Sequence, residues 1–172
     1  MIFKILKSLT IIFVMLGLSL SGAKAQSVQL LSDHKDWSAF TTSQGGNKIC
    51  FTLSKPKTIS PKPQGYKQAY LYISHRPGEN IRNELNLIAG FEFAQNSNAT
   101  IQVGSLTYDL FTKDDSAWLD DISKSAELLG QMRAGATLNV SGLTKTGVKV
   151  TQVYSLSGVT AASRAIDRAC NK

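Results

Sequence analysis

Catalysis by side chains needs a nucleophile, a base or a cluster of metal ligands, and this chain of 172 residues holds only two histidines and two cysteines. Its chemically densest stretch is Ser74-His75-Arg76-Pro77-Gly78-Glu79-Asn80-Ile81-Arg82-Asn83-Glu84. A Pro-Gly turn that presents an imidazole, two guanidiniums and two carboxylates could grip a polar or anionic partner, because ionised groups make the stronger hydrogen bonds and loops display them. His75, Arg76, Glu79, Arg82 and Glu84 therefore form the candidate binding loop. The same residues also fit a solvated hairpin tip whose charges pair with one another, an arrangement that contributes little free energy. That blander account is favoured over the first.

Other constellations are weaker. No Gly-x-Ser-x-Gly elbow, His-Glu-x-x-His pair or Gly-x-x-x-x-Gly-Lys-Ser/Thr loop occurs. Ser32-Asp33-His34-Lys35 and Lys145-Thr146-Gly147 match two elements of penicillin-interacting serine enzymes, but the third, Ser-Asp-Asn, is absent. His34 is expected in a mobile polar lead, which leaves His75 as the imidazole for any triad. Asp114-Asp115 and Asp120-Asp121 flank Trp118, yet their spacing fits no EF-hand, and acids at the start of a helix explain the second pair. Trp37 and Trp118 read as packing residues rather than ligand platforms. The expectation is a protein that is not an enzyme, with no cofactor and no metal.

The amino terminus supplies a compartment. Lys4 and Lys7 precede an apolar run from Leu9 to Leu20, followed by Ala23-Lys24-Ala25. Positive, apolar and small-x-small segments in that order make a cleavable export signal over residues 1–25, and the run is short for a membrane span. Residues 26–172 then form one domain. The signal holds Lys4, Lys7 and Lys24 and no acid, so the formal charge of +7 falls to +4 in the mature chain. That modest excess, without aromatics interleaved among Lys55, Lys57, Lys62 and Lys67, argues against nucleic acid. In an oxidising compartment two cysteines allow a single intramolecular pairing, Cys50 with Cys170.

The elements follow from periodicity. A hairpin with a longer loop around Gly45-Gly46-Asn47 is expected from residues 36–40 and 49–53. The lysine- and proline-rich residues 55–63 should be an exposed connection that cannot pair well, because three prolines remove donors. Strands are expected at 70–73 and 84–89, a hairpin over 100–111 turning at Gly104-Ser105, and strands at 137–140 and 148–156. Ile122, Ala126, Leu129 and Met132 lie on one face of a short helix ended by Gly135. Val159, Ala162, Ile166 and Ala169 line the inner face of a C-terminal helix, with Arg164, Asp167 and Arg168 on its wet side. The fold class is mainly β: a single-domain antiparallel sandwich or barrel-like sheet with two short helices, one of them C-terminal. An integral outer-membrane barrel is disfavoured, since it needs at least eight strands with lipid-facing alternation.

Several strings together carry a resemblance. Asp36-Trp37, Cys50, Ser74-His75-Arg76-Pro77, Arg82-Asn83-Glu84, Ala89-Gly90, Leu110-Phe111-Thr112 before Ala117-Trp118, Met132-Arg133-Ala134-Gly135, Tyr154-Ser155-Leu156-Ser157-Gly158 and Ala165-Ile166-Asp167 before Cys170 stand in order along the mature chain. In this the sequence resembles the invasion-associated locus B family. The resemblance implies a small exported protein of Gram-negative bacteria, periplasmic or envelope-associated, with a mostly β fold and a bridge between Cys50 and Cys170. It implies no catalytic residues. The expected function is a binding or accessory module whose partner is an envelope protein, a cell-wall component or a host surface, with at most peripheral membrane association. The alternative is a small envelope hydrolase or transferase that uses the loop of residues 75–84.

Overall fold

The computed structural model describes residues 27–171. The expected export signal over residues 1–25 lies outside the described residues. Eleven strands form one antiparallel sheet: β1 (Gln29–His34), β2 (Trp37–Gln44), β3 (Asn47–Ser54), β4 (Thr58–Ser60), β5 (Tyr70–Arg76), β6 (Ile81–Ile88), β7 (Asn98–Val103), β8 (Leu106–Lys113), β9 (Ser116–Leu119), β10 (Thr137–Leu143) and β11 (Lys149–Ser155). Among the described residues two helices, α1 (Ser125–Ala134) and α2 (Val159–Cys170), complete it. The strand order is β1-β2-β3-β5-β6-β9-β8-β7-β10-β11-β4.

The period of two decides which side chains meet. Leu71, Ile73 and His75 of β5 face inward, as do Cys50, Thr52 and Ser54 of β3 and Ala99, Ile101 and Val103 of β7. One face of the sheet thus wraps a common core, which the buried faces of α1 and α2 join. The sheet does not close, since β1 and β4 remain its edges. Its two ends nevertheless approach: the Trp37 indole donates to the Ser155 carbonyl at 2.9 Å, and Lys57 pairs with Asp36. This is the mainly β, barrel-like architecture with two helices that the alternation predicts.

Four local expectations are corrected. The polar lead is strand β1, paired with β2 from Gln29 to His34, so His34 sits at a strand end rather than in a mobile arm. The β2–β3 hairpin turns on Gly45 and Gly46 alone, both at positive φ (+56° and +84°), because two such residues let a two-residue turn match the strand twist and the polar flanks keep pairing. Within the lysine–proline stretch, Thr58–Ser60 pairs with β11; the prolines bracket these three residues instead of interrupting them, and the Lys57 amide donates to the Val153 carbonyl at 2.7 Å. Helix α1 starts later than its apolar period suggests, after a 3₁₀ turn at Ile122–Lys124 capped by the Asp121 side chain. Its buried face is Ser125, Leu128, Leu129 and Met132, leaving Ile122 and Ala126 in solvent. Gly135 ends the helix in extended conformation, not left-handed; its need is space, with the Val103 and Leu156 side chains 3.0 and 3.1 Å from where a Cβ would stand.

Helix α2 lies across the inner side of β2 and β3 through Val159, Ala162, Ile166 and Cys170, the spacing of one apolar stripe. Gly158 sets its start. Its φ of +101° and its approach to the His34 carbonyl leave no room for a side chain. At the other end Cys170 is joined to Cys50 of β3 by a disulfide spanning 120 residues.

Candidate functional site

Strand alternation divides the candidate loop. His75 points into the core and is 1% exposed, while its neighbour Arg76 points to the opposite face of the sheet. The β5–β6 register shifts between Ser74 and Arg76, Pro77–Glu79 then forms a 3₁₀ turn, and Asn80 and Asn83 take left-handed backbone. This irregularity delivers the Asn83 amide to His75 Nδ1, to which it donates at 3.0 Å. The other ring nitrogen, Nε2, stands 2.8 Å from Asp167 Oδ1 on α2. A backbone N–H can only donate, so Nδ1 is the acceptor and Nε2 carries the proton given to Asp167.

Asp167 is the residue that helical periodicity misplaces. Helical spacing puts it on the wet side of α2, but it is half-buried, and its second oxygen accepts from Arg133 Nη2 at 3.2 Å. Arg133 Nε donates in turn to the Ser163 hydroxyl at 3.0 Å. The chain His75–Asp167–Arg133–Ser163 therefore ties β5, α2 and α1 together beside the disulfide. It lacks the geometry of a nucleophilic triad, which needs a hydroxyl or thiol at the ring nitrogen remote from the carboxylate. A main-chain amide occupies that position.

On the outer face, Arg76 donates from both terminal nitrogens to Glu84, at 2.5 and 2.9 Å, and from Nε to Glu79 at 3.0 Å. Burial works against the Arg76 charge, but hydrogen bonds to Glu84 and Glu79 outweigh it and hold the guanidinium firmly protonated. Ser74 also donates to Glu84. Arg82 is exposed and reaches Asn171 near the C-terminus. The five candidates thus occupy three places, with Arg76, Glu79 and Glu84 forming one paired cluster.

That cluster borders a shallow groove of about 280 Å³ whose walls include Phe51, Tyr72 and Trp118, with Asn86 between the last two in register. Trp118 is half-buried and stacks on Phe111 with centroids 5.3 Å apart, whereas Trp37 is fully enclosed. A larger cleft of about 770 Å³ lies among the loops carrying Lys67, Glu92, Asp114, Asp115 and Lys145. There Lys145 holds the Glu92 carboxyl below its usual range by hydrogen bonding. Lys145 and Thr146 lie in the β10–β11 turn, while Ser32 is on β1 and Lys35 in the following turn, so the two serine-enzyme fragments form no helical Ser-x-x-Lys. No group of three or more potential metal ligands exists among the described residues.

Comparison with known proteins agrees with this architecture. The family model described as Invasion associated locus B (IalB) protein matches residues 37–167. The crystal structure of invasion associated protein B from Bartonella henselae superposes with a TM-score of 0.58 at 13% identity, covering 82% of this chain and 98% of that one. At that identity the likeness concerns the fold. No curated protein matches the chain.

Proposed function

Because this chain belongs to the Invasion associated locus B family, we propose that it is an exported periplasmic or envelope-associated protein that binds rather than catalyses. Its partner is another envelope protein, a cell-wall component or, in a pathogen, a host surface. The observation that carries the non-enzymatic reading is the state of His75: 1% exposed, with both ring nitrogens committed to Asn83 and Asp167. An imidazole so engaged has no nitrogen left to take a proton from a nucleophile. The joined cysteines, with no free thiol among the described residues, support an oxidising compartment.

Chemical cross-linking in the intact envelope followed by mass spectrometry tests the reading. It should recover a defined partner from the osmotic-shock fraction, and salt or carbonate alone should release the protein from membranes. Hydrolysis of a cell-wall or ester substrate by the purified protein, lost in His75→Ala, would replace binding with catalysis.

A further inference from the structure

We propose that the outer face of β3, β5, β6 and β9 is a groove for an uncharged glycan chain of the cell wall. The inference rests on the envelope-binding reading above and names the ligand class of that module.

Aromatic side chains are concentrated on this face. Phe40 stacks on Phe51 (centroids 5.3 Å apart), Phe51 meets Tyr72 (6.1 Å) and Tyr72 meets Tyr70 (6.0 Å), while Trp118 stacks on Phe111 from the other side. Both helices join the core on the opposite face, and each of these rings keeps part of its surface in solvent, with the Lys55 ammonium 5.8 Å above the Tyr70 ring. In register, Tyr72 lies opposite Asn86 and Asn86 opposite Trp118. The Cα atoms of Tyr72 and Trp118 therefore stand two strand spacings, about 10 Å, apart, with Asn86 between them. Among the described residues the Tyr72 hydroxyl makes no hydrogen bond, and Asn86 uses only its Nδ2, donating to the Ala117 carbonyl.

The charges at the groove cancel. Arg76 is saturated by Glu84 and Glu79, so an anion would have to displace Glu84 and a cation would have to displace Arg76. The complementary ligand is neutral, with apolar faces for the rings and hydroxyl or amide edges for Asn86 and the Tyr72 hydroxyl. A pyranose in chair form has that character: its axial C–H bonds present a weakly positive face to the negative face of an aromatic ring, and its equatorial groups hydrogen-bond outward. Equatorially linked rings repeat at roughly one strand spacing, so successive sugars can follow the row from Tyr72 to Trp118.

Two other occupants fit less well. An extended peptide adds itself to a free strand edge, and β3, β5, β6 and β9 are all paired on both sides. A lipid surface would meet the Ser74–Arg76–Glu84 cluster beside the rings and leave it dry.

The test uses the mature chain, purified cell-wall sacculi and the hexamer of N-acetylglucosamine. Sacculi should retain the wild-type protein, and the hexamer should shift tryptophan emission saturably, a change that reads Trp118 because Trp37 is enclosed. Trp118→Ala should weaken retention at least tenfold, and Tyr72→Phe, which keeps the ring and removes the hydroxyl, should weaken it severalfold. Circular dichroism and the thermal midpoint verify folding; should Trp118→Ala fail that check, Tyr72→Phe and Asn86→Asp carry the comparison. The proposal is overturned by wild-type protein that binds neither probe, or by folded variants that bind as well as wild type. Concentration-dependent dimerisation abolished by Trp118→Ala would also overturn it, by giving the face to a second copy. A cross-linked protein partner without glycan retention would remove the glycan and leave the envelope-binding reading in place.

Discussion

At His75 the fold and the candidate chemistry compete for the same two nitrogens. Removing the carboxylate that faces Nε2 leaves a buried N–H without an acceptor, which costs about 1–3 kcal/mol. Asp167→Ala should therefore lower the unfolding free energy measured by urea titration by that amount, while Asp167→Asn, whose amide oxygen still accepts, should lose about 1 kcal/mol or less. Equal midpoints for wild type and Asp167→Ala would show that the network does not hold α2. Little of this site was legible in the sequence. The loop was visible as a dense cluster, but reading it as one unit ignores the strand period that sends His75 and Arg76 to opposite faces. The pairing of Arg76 with Glu79 and Glu84 is the solvated-tip account in part, since those charges do satisfy one another. Asp167 sits next to Ile166 at the boundary of the apolar stripe of α2, and only a partner 92 residues away decides which side it serves. No local signal encodes that separation.

Among the elements, α2 depends most on long-range connections. It is held by its apolar stripe, by the Asp167 network and by the bridge from Cys170 to Cys50, whose Cα atoms are 6.0 Å apart. Cross-linking across 120 residues restricts the unfolded chain, and on the chain-entropy model that contributes about 4–5 kcal/mol. The double variant Cys50→Ala with Cys170→Ala should lose a large fraction of the unfolding free energy, measured by urea titration against wild type under oxidising conditions. An unchanged midpoint would mean that the bridge adds nothing to the packing of α2. The helix itself was legible because four apolar residues recur at helical spacing over a strongly amphipathic segment. Helix α1 was legible as an element but not in its face: Ile122 is apolar yet precedes the helix, and Ser125 is polar yet buried. Strand β4 escaped because composition overstated the prolines; three consecutive residues free of proline suffice to pair with an edge. In each case the deciding contact lies on another element.

For the whole molecule, the response to pH follows from where its tyrosines stand. Burial pushes the Tyr154 phenol well above its usual range. Tyr108 is raised by burial and then by Glu127, which accepts its proton at 2.9 Å, and burial also raises Tyr66 and Tyr72. A group whose folded pKa exceeds its unfolded value keeps more protons in the native state over the interval between the two. Stability is then fully present below the unfolded value, near pH 10, and is lost as pH rises through the folded value. The carboxylates behave oppositely. Hydrogen bonding to Lys57 lowers Asp36, Lys145 lowers Glu92, and the Ser123 hydroxyl and amide lower Asp121. Their contribution is present above about pH 4 and disappears on acidification, and it is small because all three are solvated. Urea midpoints should consequently change little between about pH 6 and 9 and fall steeply beyond pH 10. Tyr154→Phe separates the causes. It leaves the buried Gln152 Oε1, which the hydroxyl meets at 3.0 Å, without its donor, so stability at neutral pH should drop by about 1–3 kcal/mol. The alkaline slope should nevertheless become shallower, because one phenol no longer has to ionise on unfolding. A variant with the wild-type slope would show that Tyr154 does not govern the alkaline limit, and the remaining raised tyrosines would have to account for it.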